Sequence, residues 1–116
     1  MADRETPSGE ATQAEIEDLA RLRAEIDELD AQIVGLLNRR ARLGLQAGKT
    51  KVRTGRPVGD SDREREVLIR VAMANDGPFP QDALLAIYRQ LIETIKRLEE
   101  LDCSGGQGDD QGESND

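Results

Sequence analysis

The longest stretch of this sequence without proline runs from residue 8 to residue 56, and it carries one continuous helical pattern. Apolar residues recur at steps of three and four, as one face of a helix requires. They are Leu22, Ile26, Leu29, Ile33, Leu36 and Leu37. The pattern predicts a first helix over residues 15–53, roughly 55–60 Å long at about 1.5 Å per residue.

A helix of this length presents more apolar surface than the rest of a small domain can cover. The chain has 116 residues with one Phe, one Tyr and no Trp, so its core must come from Leu, Ile, Val and Ala. Small chains also bury a smaller share of their surface. Two copies that share one core would cover the helix, and the sequence therefore predicts an obligate homodimer.

Two shorter helices are predicted after the first, over residues 61–74 and 81–101. The apolar stripes of these two helices consist of Val67, Leu68 and Val71, and of Leu84, Ile87, Leu91, Ile95 and Leu98. Between them, the turn-forming segment "NDGPFP" ends the second helix. The predicted fold class is all-α, with three helices per chain, a very long first helix and no strand.

The net charge of −8 is concentrated at the two ends of the chain. Residues 1–18 and 102–116 each carry −5, which leaves +2 for residues 19–101. The composition of the ends predicts disordered acidic tails at 1–17 and 103–116 around a folded domain at 18–102. A slightly basic domain suits a small anionic ligand, but it lacks the strongly basic face expected for nucleic acid.

Several classes of site are excluded by what the sequence does not contain. The chain has no His and a single Cys, Cys103, which we interpret as an incidental free thiol. This excludes a disulfide within the chain and a Cys/His metal site. No stretch approaches the ~20 apolar residues of a membrane span, and the N-terminus has no apolar signal core. We therefore expect a cytoplasmic protein without metal, cofactor or membrane contact.

Two cations fall on the apolar face of the first helix. On a helical wheel centred on Ile33, Arg40 lies about 20° from the centre and Lys51 at the centre. Gly44 and Ala47, between them, are small enough to leave room. A buried cation without a partner is costly, so an anionic ligand is one explanation. A helix end that projects into solvent is the other.

The second helix carries acidic residues on or beside its apolar face. Glu64 shares the inner face of Val67, while Asp60 lies one turn before Glu64 and Arg63 lies four residues before Val67. Helix capping by Asp60, or a capping box formed by Ser61 and Glu64, would also explain these acids.

Glu99 lies on the flank of the third helix's apolar stripe, seven residues after Ile92 and four after Ile95. Taken alone, this position could also be explained by a helix end at which Glu99 is exposed to solvent. The sequence shows no nucleophile–base pair, phosphate-binding Gly loop or dinucleotide fingerprint. An enzyme built from these residues would act through fixed charges and hydrogen bonds, for example in the rearrangement of a small dianion.

The segments "LRAEIDELDAQIVGLLNRRARLGLQAGKTK" and "GRPVGDSDREREVL" resemble the all-helical chorismate mutases. The shared features are an ID-x-LD start, the basic RR and GK-x-K segments, and the R-P-V-x-D-x-x-RE turn; the resemblance covers residues 19–101. It implies an intertwined homodimer with two equivalent sites. The implied activity is that of an isomerase, which converts chorismate to prephenate by a Claisen (pericyclic) rearrangement without a cofactor.

The resemblance also implies roles for individual residues. Arg23 would enter the partner's site and bind one substrate carboxylate, while Arg40 would bind the other carboxylate within its own chain. Lys51 would face the ether oxygen, where negative charge grows as the C–O bond breaks.

The remaining implied site residues surround the ring and the ether oxygen. Asp60 and Glu64 would bind the substituent at ring C4, with Arg63 beside them. In the third helix, Ile95 stands where many members have Ser, and Glu99 stands where many have Gln. Only a protonated Glu99 can donate a hydrogen bond to the ether oxygen, so activity is expected to decline as pH rises through an elevated Glu99 pKa.

Three alternatives remain open from the sequence. A related enzyme rearranges 4-amino-4-deoxychorismate in specialised biosynthesis, and the acidic pair of Asp60 and Glu64 suits an ammonium at C4 as well as a hydroxyl. Isochorismate-pyruvate lyases share the fold. The non-enzyme alternative is a helical dimerisation adaptor, which leaves the inward cations unexplained. The sequence does not indicate whether a partner protein or an end product regulates the chain.

Overall fold

A computed structural model describes residues 10–57 and 59–114, and the side chains of residues 10–57 and 59–102. The described residues form three helices and no strand. They are α1 (Gln13–Arg53), α2 (Ser61–Ala74) and α3 (Gln81–Ser114). The prediction of an all-α chain with a very long first helix is confirmed, and the bounds predicted for the second helix match those of α2.

The first helix begins two residues earlier than predicted because Thr12 caps it. The backbone N–H of Glu15 donates to Thr12 Oγ1 at 3.0 Å, and the backbone N–H of Thr12 donates to Glu15 Oε1 at 3.1 Å. This reciprocal pair is a capping box, which satisfies amides that the first turn leaves without helical partners. Residues 13 and 14, predicted to precede the helix, are therefore helical, and residues 15–17, which the predicted tail and the predicted helix shared, belong to the helix.

The third helix continues past its predicted end at Leu101 as far as Ser114. Residues 103–114, predicted to be a disordered tail, are thus helical in their backbone. Extending an existing helix avoids the cost of nucleation, so a Gly-rich segment can follow a well-formed helix. Residues 1–9 of the other predicted tail, residues 115–116 and the side chain of Cys103 lie outside the described residues. The division into one domain at 18–102 with two tails stays a prediction.

The chain divides within α1 into one unit that ends at Asn38 and a second that starts at Arg39. In the described part of the first unit, the apolar stripe of α1 is exposed. Its exposed members are Ile16, Leu19, Leu22, Ile26, Leu29, Ile33, Val34, Leu36 and Leu37. Such a stripe is the surface that a helix normally buries against another element.

In the second unit, the C-terminal part of α1 and helix α2 both lie against α3. Ile95 of α3, 3% exposed, is the buried apolar side chain among the described residues. A Schellman motif ends α1: Arg56 N–H donates to Lys51 C=O at 2.7 Å, and Gly55 N–H donates to Val52 C=O at 3.1 Å. Gly55 has φ of 78°, a conformation that favours glycine. The motif fixes the last turn of α1, which carries Lys51.

None of the described helices combines the length and the apolar composition needed to cross a membrane.

Candidate functional site

A cavity of about 380 Å³ opens between the C-terminal part of α1, helix α2 and helix α3. Seven of the eight residues predicted to form a site line this cavity. They are Arg40, Lys51, Asp60, Arg63, Glu64, Ile95 and Glu99. The eighth, Arg23, belongs to the first unit of the chain and does not line the cavity.

Two glycines of α1, Gly44 and Gly48, lie where this helix faces α3, and Gly44 also lines the cavity. A Cβ atom on Gly44 would lie 2.6 Å from Ile95 Cγ2 and 3.2 Å from Glu99 Oε2. A Cβ atom on Gly48 would lie 3.3 Å from both Cβ and Cγ of Glu99. The two helices therefore approach closely because these positions lack side chains, and the approach covers Glu99. The small size of Gly44 was apparent from the sequence, whereas the close approach at Gly48 was not predicted.

Glu99 is a buried carboxyl group, with 9% of the residue exposed. Because Glu99 is buried, the interpretation of this position as a solvated helix end is wrong. Burial raises the pKa of Glu99 above the ordinary value of a glutamate, and the positive charges of Lys51 and Arg40 oppose the rise without cancelling it. The cavity thus contains a carboxyl group that holds its proton to higher pH than an exposed glutamate.

The two cations predicted on the apolar face of α1 both reach the cavity. Lys51 Nζ lies 4.0 Å from Glu99 Oε1, and the Lys51 side chain is 27% exposed. The guanidinium carbon of Arg40 lies 5.9 Å from the ring centre of Tyr88, within the range of a cation–π contact. Neither cation projects from the end of the helix into open solvent.

Asp60 is the N-cap of α2, and its carboxylate accepts a hydrogen bond from the backbone N–H of Arg63 at 3.1 Å. The sequence allowed either Asp60 or a capping box of Ser61 and Glu64, and in the structure the N-cap is Asp60. The guanidinium of Arg63 donates to the exposed Glu66 at 3.1 Å, and the pKa of Glu66 is lowered because Arg63 and Arg70 both donate to its carboxylate.

Glu64 pairs across the cavity with Lys96 of α3, at 3.3 Å between Oε2 and Nζ. The hydrogen bond and the charge of Glu64 raise the pKa of Lys96. Sequence reasoning missed Lys96. Its signal was available, because Lys96 lies four residues after Ile92 and shares the flank on which Glu99 was placed.

The cavity therefore combines fixed cations, a carboxyl group with a raised pKa and a paired carboxylate. Cations and a hydrogen-bond donor held in place can stabilise negative charge that develops on a bound molecule. The described side chains contain no group of His, Cys, Asp and Glu residues arranged to hold a metal ion.

Residues 22–100 match the family model described as chorismate mutase type II. The chain is 40% identical over 88 residues to a bifunctional chorismate mutase/prephenate dehydratase of Aquifex aeolicus, a match that covers 72% of this chain and 24% of that protein. The chain thus spans about a quarter of that enzyme. A 4-amino-4-deoxychorismate mutase of Streptomyces venezuelae is 34% identical over 85 residues, which cover 72% of this chain and 82% of that protein.

Among solved structures, a chorismate mutase of Thermus thermophilus (form II) superimposes with a TM-score of 0.69 and 31% identity. The superposition covers 72% of this chain and 94% of that one.

Proposed function

The chain belongs to the chorismate mutase type II family, and from this premise we propose that it converts chorismate to prephenate in the cavity between α1, α2 and α3. The observation that carries the proposal is the position of Arg40, Lys51 and Glu99, which line one cavity although α1 and α3 supply them separately. The reaction is a unimolecular rearrangement in which one C–O bond breaks and one C–C bond forms. It needs no nucleophile, metal or cofactor.

In the proposed mechanism, the protein selects the reactive conformer and stabilises the charge that grows on the ether oxygen. Arg40 binds one substrate carboxylate. Lys51 places its ammonium at the ether oxygen, and protonated Glu99 donates a hydrogen bond to the same atom. Ile95 forms the apolar wall beside Glu99, in agreement with its burial.

The substituent at ring C4 is assigned to the α2 side of the cavity. Asp60 and Glu64 accept hydrogen bonds from the C4 hydroxyl in this proposal, and Arg63 lies beside them. The cap role of Asp60 supports the assignment, because the bond to Arg63 N–H holds this carboxylate in a fixed position.

The second carboxylate of the substrate requires a further cation, and we propose that Arg23 of a second copy supplies it. The exposed apolar stripe of α1 supports an intertwined homodimer, because Leu22, Ile26 and Ile33 are each between 44% and 54% exposed in the single chain. A surface of this kind is typical of an interface between subunits. The cytoplasmic location stays a prediction from the sequence.

The rearrangement of 4-amino-4-deoxychorismate is the second candidate activity, and the similarity to the Streptomyces venezuelae enzyme favours it. Neither activity is expected of a helical dimerisation adaptor, which does not need a cavity lined by Arg40, Lys51 and Glu99.

The test is a turnover assay of the full chain with each of the two compounds. We expect conversion of chorismate to prephenate, and we expect Arg40→Ala to abolish it while the helical content stays unchanged. The matched control is Arg42→Ala, because Arg42 is exposed and does not line the cavity. Equal turnover by the two variants would contradict the proposed role of Arg40. If the wild-type protein turned over neither compound, the proposal that the chain is an enzyme of this type would be wrong.

A further inference from the structure

The ion pair between Glu64 and Lys96 joins α2 to α3 at the cavity. Its two side chains are 31% and 30% exposed, and both residues line the cavity. Lys96 Nζ also lies 3.8 Å from the carboxylate of Glu93, an exposed residue that does not line the cavity. The Glu64 carboxylate thus faces the cavity with a cation already beside it.

The other charges near Glu64 have partners of their own. Asp60 accepts the hydrogen bond from Arg63 N–H at the start of α2, and the Arg63 guanidinium donates to Glu66. Lys96 is therefore the cation that pairs with Glu64 in the described structure.

This pairing changes what Glu64 can bind. A hydroxyl at C4 can donate to Glu64 while Lys96 keeps its place, since a carboxylate accepts several hydrogen bonds. An ammonium at C4 would have to approach a second ammonium, that of Lys96, and the repulsion between like charges disfavours its binding.

We propose that Lys96 is a specificity-determining residue, which makes the C4 side of the cavity select a neutral hydroxyl over an ammonium group. This inference rests on the proposed function, and it concerns which of the two substrates the same site prefers. It assigns to Lys96 a role separate from those of Arg40, Lys51 and Glu99, because Lys96 acts on the C4 substituent and leaves the reacting bonds untouched.

The test compares kcat/KM for chorismate with kcat/KM for 4-amino-4-deoxychorismate. Lys96→Met keeps the length and the apolar stem of the side chain but removes the charge. We expect this change to reduce the preference for chorismate, so that the ratio of kcat/KM for chorismate to kcat/KM for 4-amino-4-deoxychorismate falls by about tenfold. This is the scale for one partly exposed charge at close range. Lys96→Arg keeps the charge and should keep the ratio.

The matched control is Lys49→Met, which removes a lysine that pairs with Asp102 at 3.9 Å and does not line the cavity. It should leave the ratio unchanged. An equal loss with both substrates in Lys96→Met would show that the ion pair only holds α2 on α3, and it would overturn the proposal, as would an unchanged ratio.

Failure of the proposed function would look different. If the wild-type protein turned over neither chorismate nor 4-amino-4-deoxychorismate, both compounds would stay unreacted in its presence. The dissociation constant of each compound could then be measured by calorimetry. Because the same charges act on binding, the selectivity proposal then predicts a change of about tenfold in the ratio of the two dissociation constants for Lys96→Met. An unchanged ratio there would overturn it.

Discussion

Lys51 Nζ of α1 lies 4.0 Å from Glu99 Oε1 of α3, and the cation does not cancel the effect of burial on the pKa of that carboxyl group. The pair therefore places the Lys51 ammonium group beside a carboxyl group that gains or loses a proton. In the proposed mechanism both act on the ether oxygen, but only the protonated form of Glu99 donates a hydrogen bond.

The pH dependence of kcat tests this arrangement. Burial raises the pKa of Glu99, so the protonated, donating form persists to higher pH than in an exposed glutamate and disappears as pH rises through the raised pKa. We expect kcat to fall over that range, because ionised Glu99 would repel the growing negative charge. Glu99→Gln donates at every pH and should remove the decline.

The control for this profile is Glu100→Gln, which makes the same change in charge at the adjacent, exposed position. It should keep the decline. A Glu99→Gln enzyme whose kcat falls with pH like that of the wild type would contradict the assignment of the titrating group to Glu99.

Removal of the Lys51 charge is expected to lower kcat by about 100- to 1,000-fold, as for other groups that stabilise developing charge. The variant is Lys51→Gln, and Lys49→Gln two residues earlier is the control because Lys49 does not line the cavity. Single-turnover rates at saturating chorismate measure the chemical step. A Lys51→Gln rate within about twofold of the control would be incompatible with charge stabilisation of this size.

The close approach of α1 and α3 makes a separate prediction about stability. In Gly44→Ala, the new Cβ would lie 2.6 Å from Ile95 Cγ2, and Ile95 is 3% exposed and has little room to move. We expect the free energy of unfolding to fall by about 1–3 kcal/mol, the usual cost of overpacking. Denaturant titration at a fixed protein concentration measures it.

Gly35→Ala is the control for this substitution. It makes the same change in the same helix, and a Cβ at Gly35 has no atom within 4 Å in the described structure. Because alanine favours a helix more than glycine does, we expect the free energy of unfolding of this variant to rise by up to about 1 kcal/mol. Equal stabilities of the two alanine variants would show that Gly44 does not limit the distance between the helices.

Much of the fold follows from hydrophobic periodicity, because each helix keeps one apolar face over many turns. The same periodicity indicated that Arg40 and Lys51 share the inner face of α1. The ends of the helices were less predictable. The early start of α1 depends on the hydrogen bonds of Thr12, a local cap that the sequence analysis did not identify.

The burial of Glu99 and the pairing of Lys96 depend on contacts between helices, which periodicity within one helix does not determine. Glu99 is covered because Gly44 and Gly48 let α1 come close to α3. Lys96 meets Glu64 because α2 lies against α3. From the sequence alone, the position of Glu99 also allowed a solvated helix end, and Lys96 was not identified at all.

The exposed stripe of α1 predicts a change in oligomeric state when a charge is introduced. Ile33 is 51% exposed in the single chain, and in the proposed dimer it is buried, so Ile33→Asp should convert the dimer to monomer or unfold it. Ala31→Asp places the same charge on the opposite side of the helix and should leave the dimer intact. Sedimentation equilibrium of both variants measures the mass, and a wild-type mass of one chain would contradict the dimer.

The proposed contribution of Arg23 to the partner's site can be tested by mixing two variants that are each expected to be inactive. Arg23→Ala and Arg40→Ala should each be inactive alone, because every site of either homodimer lacks one cation. In a mixed dimer, one site lacks both cations, whereas the other has Arg40 from one chain and Arg23 from its partner. Random exchange should therefore restore about a quarter of the wild-type activity, by the symmetry of a two-site dimer. If both residues act within one chain, each chain of the mixture carries one defect and mixing restores no activity, which would contradict the intertwined site.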